Sequence, residues 1–218
     1  MIRAVLFDLD GTLADTAPDL GYALNRQREM RGLAPLPIED IRPHASAGAR
    51  GLLMLGFRIS PGEPGYDALR AEFLEFYAEH ICRDTRLFDG VPELLDGLER
   101  RGLRWGVVTN KPARFTLPLL VLLGLERRAA CVVSGDTTPY PKPNPAPLLA
   151  ASMLLKLAPE ACLYVGDDRR DVEASRAAGM GCLVAAYGYL GNGGDPAGWG
   201  ADSLIQHPLD LLERLPNC

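Results

Sequence analysis

The feature that most constrains this chain is a set of short, nearly uniformly apolar runs at residues 3–7, 104–109, 130–134, 162–165 and 181–185. A strand wetted on one face alternates apolar and polar residues, so runs apolar throughout suit strands covered on both faces, as in a parallel sheet. Between them lie stretches 92–101, 114–123, 145–155 and 170–178 with apolar residues at helical spacing. Gly102, Gly124 and Gly179 stand where helix ends take a left-handed residue. The alternation predicts an α/β fold built on a doubly wound parallel sheet.

One interval breaks the pattern. From about residue 15 to 84 no strand is evident, whereas Tyr66, Leu69, Phe73, Phe76, Tyr77 and Ile81 share one helical face, and Leu20, Leu24 and Met30 partly define another. Pro35, Pro37, Pro43, Pro61 and Pro64 divide the interval into short helices. The expectation is an inserted helical cap, residues 15–85, within a core made of residues 1–14 and 86–218. The glycine-rich stretch 188–200 reads as a long loop near the last strand, 181–185.

Charge and hydropathy exclude several function classes. Twenty-eight acids against 23 bases leave a net charge of -5, which offers no footprint for a polyanionic duplex, so no nucleic-acid partner is expected. No apolar run approaches the ~20 residues of a membrane span. The amino terminus meets Asp8 before a signal-peptide core can develop, and the expectation is a cytoplasmic protein with no membrane partner. Cys82, Cys131, Cys162, Cys182 and Cys218 show no CxxC spacing and read as buried small hydrophobes; His44, His80 and His207 form no metal-ligand pattern.

The chemistry gathers at the ends of the apolar runs. Val5-Leu6-Phe7-Asp8-Leu9-Asp10-Gly11-Thr12 puts two carboxylates at the carboxyl edge of the first strand, where open α/β sheets bind ligands. Clustered acids repel, and a cation or a shared proton makes them tolerable; an Asx turn capped by Thr12 is the alternative. Thr109-Asn110 ends the second run, as phosphoryl-oxygen donors or as a helix cap ahead of Pro112. Lys142 is held between Pro141 and Pro143, and Gly166-Asp167-Asp168-Arg169-Arg170-Asp171 presents three more acids, of which a helix cap at Asp168 explains one. Together these groups suit cation-assisted phosphoryl transfer, with one carboxylate attacking and another moving the proton.

In that order the four segments resemble the signatures of the haloacid dehalogenase-like hydrolase superfamily, over most of the chain. The resemblance implies a Rossmann-like core with a mobile cap that excludes water and reads the leaving group. It implies Asp8 as the nucleophile that becomes a phosphoaspartate and Asp10 as general acid and base. Thr109, Asn110 and Lys142 would bind the phosphoryl group. Asp8, the Asp10 carbonyl and Asp167 would ligate Mg²⁺, and Asp171 would support the metal or the lysine. Asp168 is ambiguous. Asp10 argues against the dehalogenase branch, which needs no acid at that place. The chain is also similar to phosphoglycolate phosphatases, and Ser46–Gly51, 106–112, Gly188-Tyr189 and 199–202 are similar to bacterial N-acetylmuramic acid 6-phosphate phosphatases.

The expected function is therefore Mg²⁺-dependent hydrolysis of a small carboxylate-bearing phosphomonoester, N-acetylmuramic acid 6-phosphate or phosphoglycolate, by a monomer or weak homodimer. Arg50 in the insert is the candidate for reading the carboxylate, because a guanidinium grips one bidentately; a solvated helix arginine is the alternative. Lys111 and Arg114 either assist or lie on the surface. A phosphomutase of the beta-phosphoglucomutase type would use the same inner residues. A non-catalytic phosphate-sensing protein is the other class, and the retention of every signature acid argues against it.

Overall fold

The computed structural model describes residues 1–191 and 193–215, so Cys218 lies outside the described residues. Strand β1 (Ala4–Phe7) is followed by a two-residue strand β2 (Ala14–Asp15) and by helices α1 (Ala17–Met30), α2 (Ile38–Ile41), α3 (Gly48–Phe57) and α4 (Tyr66–Glu79). A 3₁₀ turn, Arg42–Ala47, joins α2 to α3. Strand β3 (Arg86–Leu87) then returns to pair antiparallel with β2, with Ala14 opposite Leu87 and Asp15 opposite Arg86. The rest of the chain runs α5 (Val91–Arg100), β4 (Arg104–Val108), α6 (Ala113–Leu122), β5 (Val132–Val133), α7 (Ala146–Leu155), β6 (Cys162–Gly166), α8 (Arg169–Ala177), β7 (Gly181–Ala185), β8 (Ser203–Ile205) and α9 (Asp210–Arg214).

Six strands form one parallel sheet in the order β5-β4-β1-β6-β7-β8. The chain lays down strands to one side of β1 and then to the other, so the crevice at the carboxyl end of β1 is the switch point at which such sheets bind ligands. Phe7 lies opposite both Val107 and Val165, which brings Asp8 out level with Val108 and Gly166.

The uniform apolarity of β1 follows from its place. Val5 and Phe7 join one buried cluster with Leu94, Leu98, Trp105 and Leu119; Ala4 and Leu6 join the opposite one with Leu148, Tyr164 and Val172. Successive side chains point to opposite faces, and both faces are covered. A third cluster holds the helices between β2 and β3 together through Leu20, Leu24, Ile41, Leu52, Phe73 and Tyr77, and takes in Phe115 of α6 and Tyr189.

Two expectations need correction. Met30 is 57% exposed, because ten residues after Leu20 a helix has turned off that face; Gln27, two turns on, is buried there and donates to Leu69 O and Glu72 Oε2. The run 181–185 is not the last strand, since β8 adds a sixth against β7; the glycine-rich stretch lies between the two. Three residues at a sheet edge are too few to show periodicity. Gly102, Gly124 and Gly179 do take positive φ just past α5, α6 and α8. Cys131, Cys162 and Cys182 are buried free thiols, and no helix among the described residues is long and apolar enough to cross a membrane.

Candidate active site

Lys142 organises the centre. Its peptide bond to Pro143 is cis, and the Asn110 side chain clasps its backbone from the neighbouring strand end, Oδ1 accepting from Lys142 N (2.9 Å) and Nδ2 donating to Lys142 O (2.9 Å). The ammonium is buried and donates to Val108 O (3.0 Å), Tyr164 Oη (2.8 Å) and Asp171 Oδ1 (2.7 Å). An ammonium has three hydrogens, so these partners and Asp8 compete for them. Asp8 Oδ1 is buried and lies 3.0 Å from Lys142 Nζ as an ion pair, with no donor on it besides that ammonium among the described residues. Burial would lower the lysine's pKa, but the Asp171 and Asp8 carboxylates outweigh it and hold the ammonium charged.

Asp8 pays for this crowding with its own pKa. Desolvation pushes it up to about 6, against the pull of Lys142 and with the help of Asp171 and Asp10. Asp167 is fully buried and pushed well above the usual carboxylate range by burial and by the Asp8 and Asp171 charges. Its Oδ1 accepts from Thr12 Oγ1 (2.8 Å), and its Oδ2 from Tyr189 N (2.9 Å) and Ser46 Oγ (3.2 Å). Oxygens of Asp8, Asp167 and Asp171 lie within 4.8 Å of one another. Three buried carboxylates that repel each other, one with an oxygen that no donor but the Lys142 ammonium reaches, form an all-oxygen set that fits a hard divalent cation such as Mg²⁺. Asp171 is committed as fully as Asp167, since Lys142 and Tyr164 bind its Oδ1 and Asp168 N its Oδ2 (3.0 Å).

The Asp10 carboxylate stands outside that triad. Its Oδ1 accepts from Thr16 Oγ1 (2.5 Å) and from Lys111 Nζ (2.8 Å). Lys111 is buried, with its ammonium 4.7 Å from the centre of the Tyr77 ring of α4; burial opposes its charge, but Asp10 and Tyr77 together raise its pKa. Thr109 Oγ1 accepts from Lys111 N (3.1 Å), which leaves its hydrogen available to a ligand. Asp168 caps α8 in a capping box with Asp171 and is gripped on both oxygens by Arg170 (2.8 Å each). Burial would raise its pKa, and Arg170 brings it below the usual range. Arg170 also donates to Ser46 O (2.9 Å), so Asp168 acts through an arginine that reaches the inserted helices.

These groups line one cavity of about 250 Å³ that includes Asp8, Asp10, Thr109, Asn110, Lys111 and Lys142 from the sheet edge. Arg50 of α3 and Arg70, Phe73 and Tyr77 of α4 line its other side. The strand tips thus converge, and Arg50 lies at the exposed mouth. Neither Arg70 nor Tyr164 is singled out by the sequence reading, and Ser46 and Tyr189 fall only within segments of resemblance, with no role at the site. Tyr164 carried a usable signal, because a phenol inside an otherwise apolar strand needs a hydrogen-bond partner; the others came near the cavity through contacts distant in sequence.

The family profile described as haloacid dehalogenase-like hydrolase matches residues 5–185. The chain belongs to that family. It is 43% identical over 214 residues to an N-acetylmuramic acid 6-phosphate phosphatase of Pseudomonas aeruginosa, covering 98% of this chain and 95% of that one. It is also 43% identical to a phosphoglycolate phosphatase of Xanthomonas campestris, covering 97% and 95%. Among solved structures, that of a predicted phosphoglycolate phosphatase from Haemophilus somnus superposes with a TM-score of 0.85 at 27% identity, over 98% of this chain and 97% of that one. Within its family the chain is a phosphatase.

Proposed function

We propose that this phosphatase hydrolyses a small carboxylate-bearing phosphomonoester through an aspartyl-phosphate on Asp8, with Mg²⁺ bound by Asp8 and Asp167. The observation that carries the reading is the Asp8 carboxylate, whose Oδ1 is buried at the tip of β1, paired to the Lys142 ammonium at 3.0 Å and held by no other donor among the described residues. A nucleophile needs an oxygen not tied up by several donors, whereas Asp167 and Asp171 each accept three hydrogen bonds.

An Asp8 oxygen attacks phosphorus while the bond from phosphorus to the alcohol oxygen breaks, and Asp10 gives that oxygen a proton. Asp10 then takes a proton from the water that attacks the aspartyl-phosphate, releasing phosphate and restoring Asp8. Lys142 and the Thr109 hydroxyl neutralise and orient the phosphoryl oxygens. A bound Mg²⁺ supplies charge neutralisation between nucleophile and phosphate. Asn110 positions Lys142, since both polar atoms of its amide hold the lysine's backbone.

The far wall of the cavity supports an anionic leaving group. Arg50 and Arg70 line it with no ion-pair partner among the described residues. The two curated relatives cited above carry different substrate names at equal identity, so the alcohol is read from the cavity and not from similarity. The helices between β2 and β3 act in this reading as the cap that closes over it.

A phosphate-release screen tests the proposal, comparing kcat/KM for phosphoglycolate, N-acetylmuramic acid 6-phosphate, neutral sugar phosphates and p-nitrophenyl phosphate, with Mg²⁺ and with chelator. Preference for a carboxylate-bearing substrate, loss of turnover in chelator and loss in Asp8→Asn are expected. Turnover by Asp8→Asn at the wild-type rate would end the aspartyl-phosphate reading.

A further inference from the structure

Gly188 and Tyr189, in the loop after β7, touch the cation-facing carboxylate and the start of the inserted helices at once. Gly188 packs so closely that a Cβ on it would stand 2.3 Å from Gly11 O and 2.4 Å from Asp167 Cβ. The next amide, Tyr189 N, donates to Asp167 Oδ2 at 2.9 Å. The buried Tyr189 side chain then crosses to the β2–α1 junction, where its hydroxyl accepts from Thr16 N (2.6 Å) and Ala17 N (2.9 Å) and donates to Asp15 Oδ1 (2.9 Å).

Those amides are the N-cap and first residues of α1, which has no side-chain cap of its own, because the Thr16 hydroxyl is turned to Asp10. The phenol of Tyr189 therefore caps α1 from 172 residues away. Arg42 closes the cluster, paired with Asp15 at 2.7 Å and 5.9 Å from the centre of the Tyr189 ring. Rotation of α1 about the junction must either break the three bonds to the hydroxyl or drag residue 189, whose amide orients Asp167.

We propose that Tyr189 is a positioning residue that couples the placement of the inserted helices to the divalent-cation affinity of Asp167. The coupling rests on the cation site proposed above but not on the identity of the substrate. It is reciprocal: whatever fixes the junction tightens the cation, and the cation fixes the junction.

Tyr189→Phe removes the hydroxyl and keeps the ring and the backbone amide. The test uses the full-length protein with Mg²⁺ alone as probe, by calorimetric titration and by amide hydrogen exchange at Thr16 and Ala17. In the wild type, Mg²⁺ is expected to slow exchange at those two amides. In Tyr189→Phe that slowing disappears and the Mg²⁺ Kd rises about fivefold or more. A purely structural tyrosine would lower the Tm and leave the Mg²⁺ Kd alone, and that result overturns the coupling. So does a wild type whose Thr16 and Ala17 exchange ignores saturating Mg²⁺, a measurement that needs no variant. A wild type that binds no Mg²⁺ removes the cation site itself, and the coupling with it, which separates failure of the earlier reading from failure of this one.

Discussion

Replacing Asp8, the proposed nucleophile, should stabilise the cation-free protein. The folded state raises the Asp8 pKa from 3.8 to about 6, through burial first and then through Asp171 and Asp10, with Lys142 pulling the other way. The folded chain thus binds this proton more tightly than the unfolded chain, so ionising Asp8 weakens folding as pH rises from about 4 through 6, and the loss is complete above that. About two pKa units at ~1.4 kcal/mol each give roughly 3 kcal/mol at pH 7.5, and about half of that at pH 5. Asp8→Asn removes the charge at nearly constant shape. In chelator at pH 7.5 it should unfold in urea with roughly 3 kcal/mol more stability than wild type, or melt about 6–12 °C higher. The gap should shrink by about half at pH 5. Saturating Mg²⁺ should narrow it from the other side, because a ligand at 100 times its Kd adds about 2.7 kcal/mol to the protein that binds it. A variant no more stable than wild type in chelator at pH 7.5, or a gap indifferent to pH, would refute the reasoning.

Asn110→Ala removes both bonds on the Lys142 backbone, and kcat/KM is expected to fall about 10- to 100-fold with circular dichroism unchanged; wild-type kinetics would refute its positioning role. Asp19→Ala strips the buried carboxylate that accepts from Asp84 N, Thr85 N and Thr85 Oγ1, which fastens α1 to the segment leading into β3; urea unfolding should show a loss of about 3 kcal/mol, and no measurable loss would contradict it. Gly188→Ala drives a methyl group into Gly11 O and Asp167, so about 1–3 kcal/mol of stability should go together with weaker Mg²⁺ binding in titration. Arg50→Ala should raise KM for carboxylate-bearing substrates more than for p-nitrophenyl phosphate, and equal effects on both would remove it from substrate reading.

Much of the fold is written in local chemistry. The apolar runs mark β1, β4, β6 and β7 because both faces of those strands are covered, and the glycines past α5, α6 and α8 mark helix ends because the backbone there needs positive φ. The weak elements were not legible. Strands β2 and β3 have two residues each and β8 has three, too few for any period, and they exist because a partner strand lies beside them. The site divides in the same way. Asp8, Asp10, Thr109, Lys142 and Asp167 stand at strand ends that the sequence displays, whereas Tyr164, Arg70, Ser46 and Tyr189 matter through neighbours up to 174 residues away or across the cavity.

By itself the sequence determined the parallel sheet, the inserted helices and the collection of acids, lysine and hydroxyl at the strand tips, because periodicity and turn chemistry act between near neighbours. Only the tertiary structure decided what each group faces. It gathered Val108 O, Tyr164, Asp171 and Asp8 around the Lys142 ammonium, sent Asp10 to Lys111 and Thr16, and placed the Tyr189 hydroxyl on α1. A buried donor can serve only the acceptors that packing brings within about 3 Å, and that selection is made by strand order and register, which no local run of residues contains.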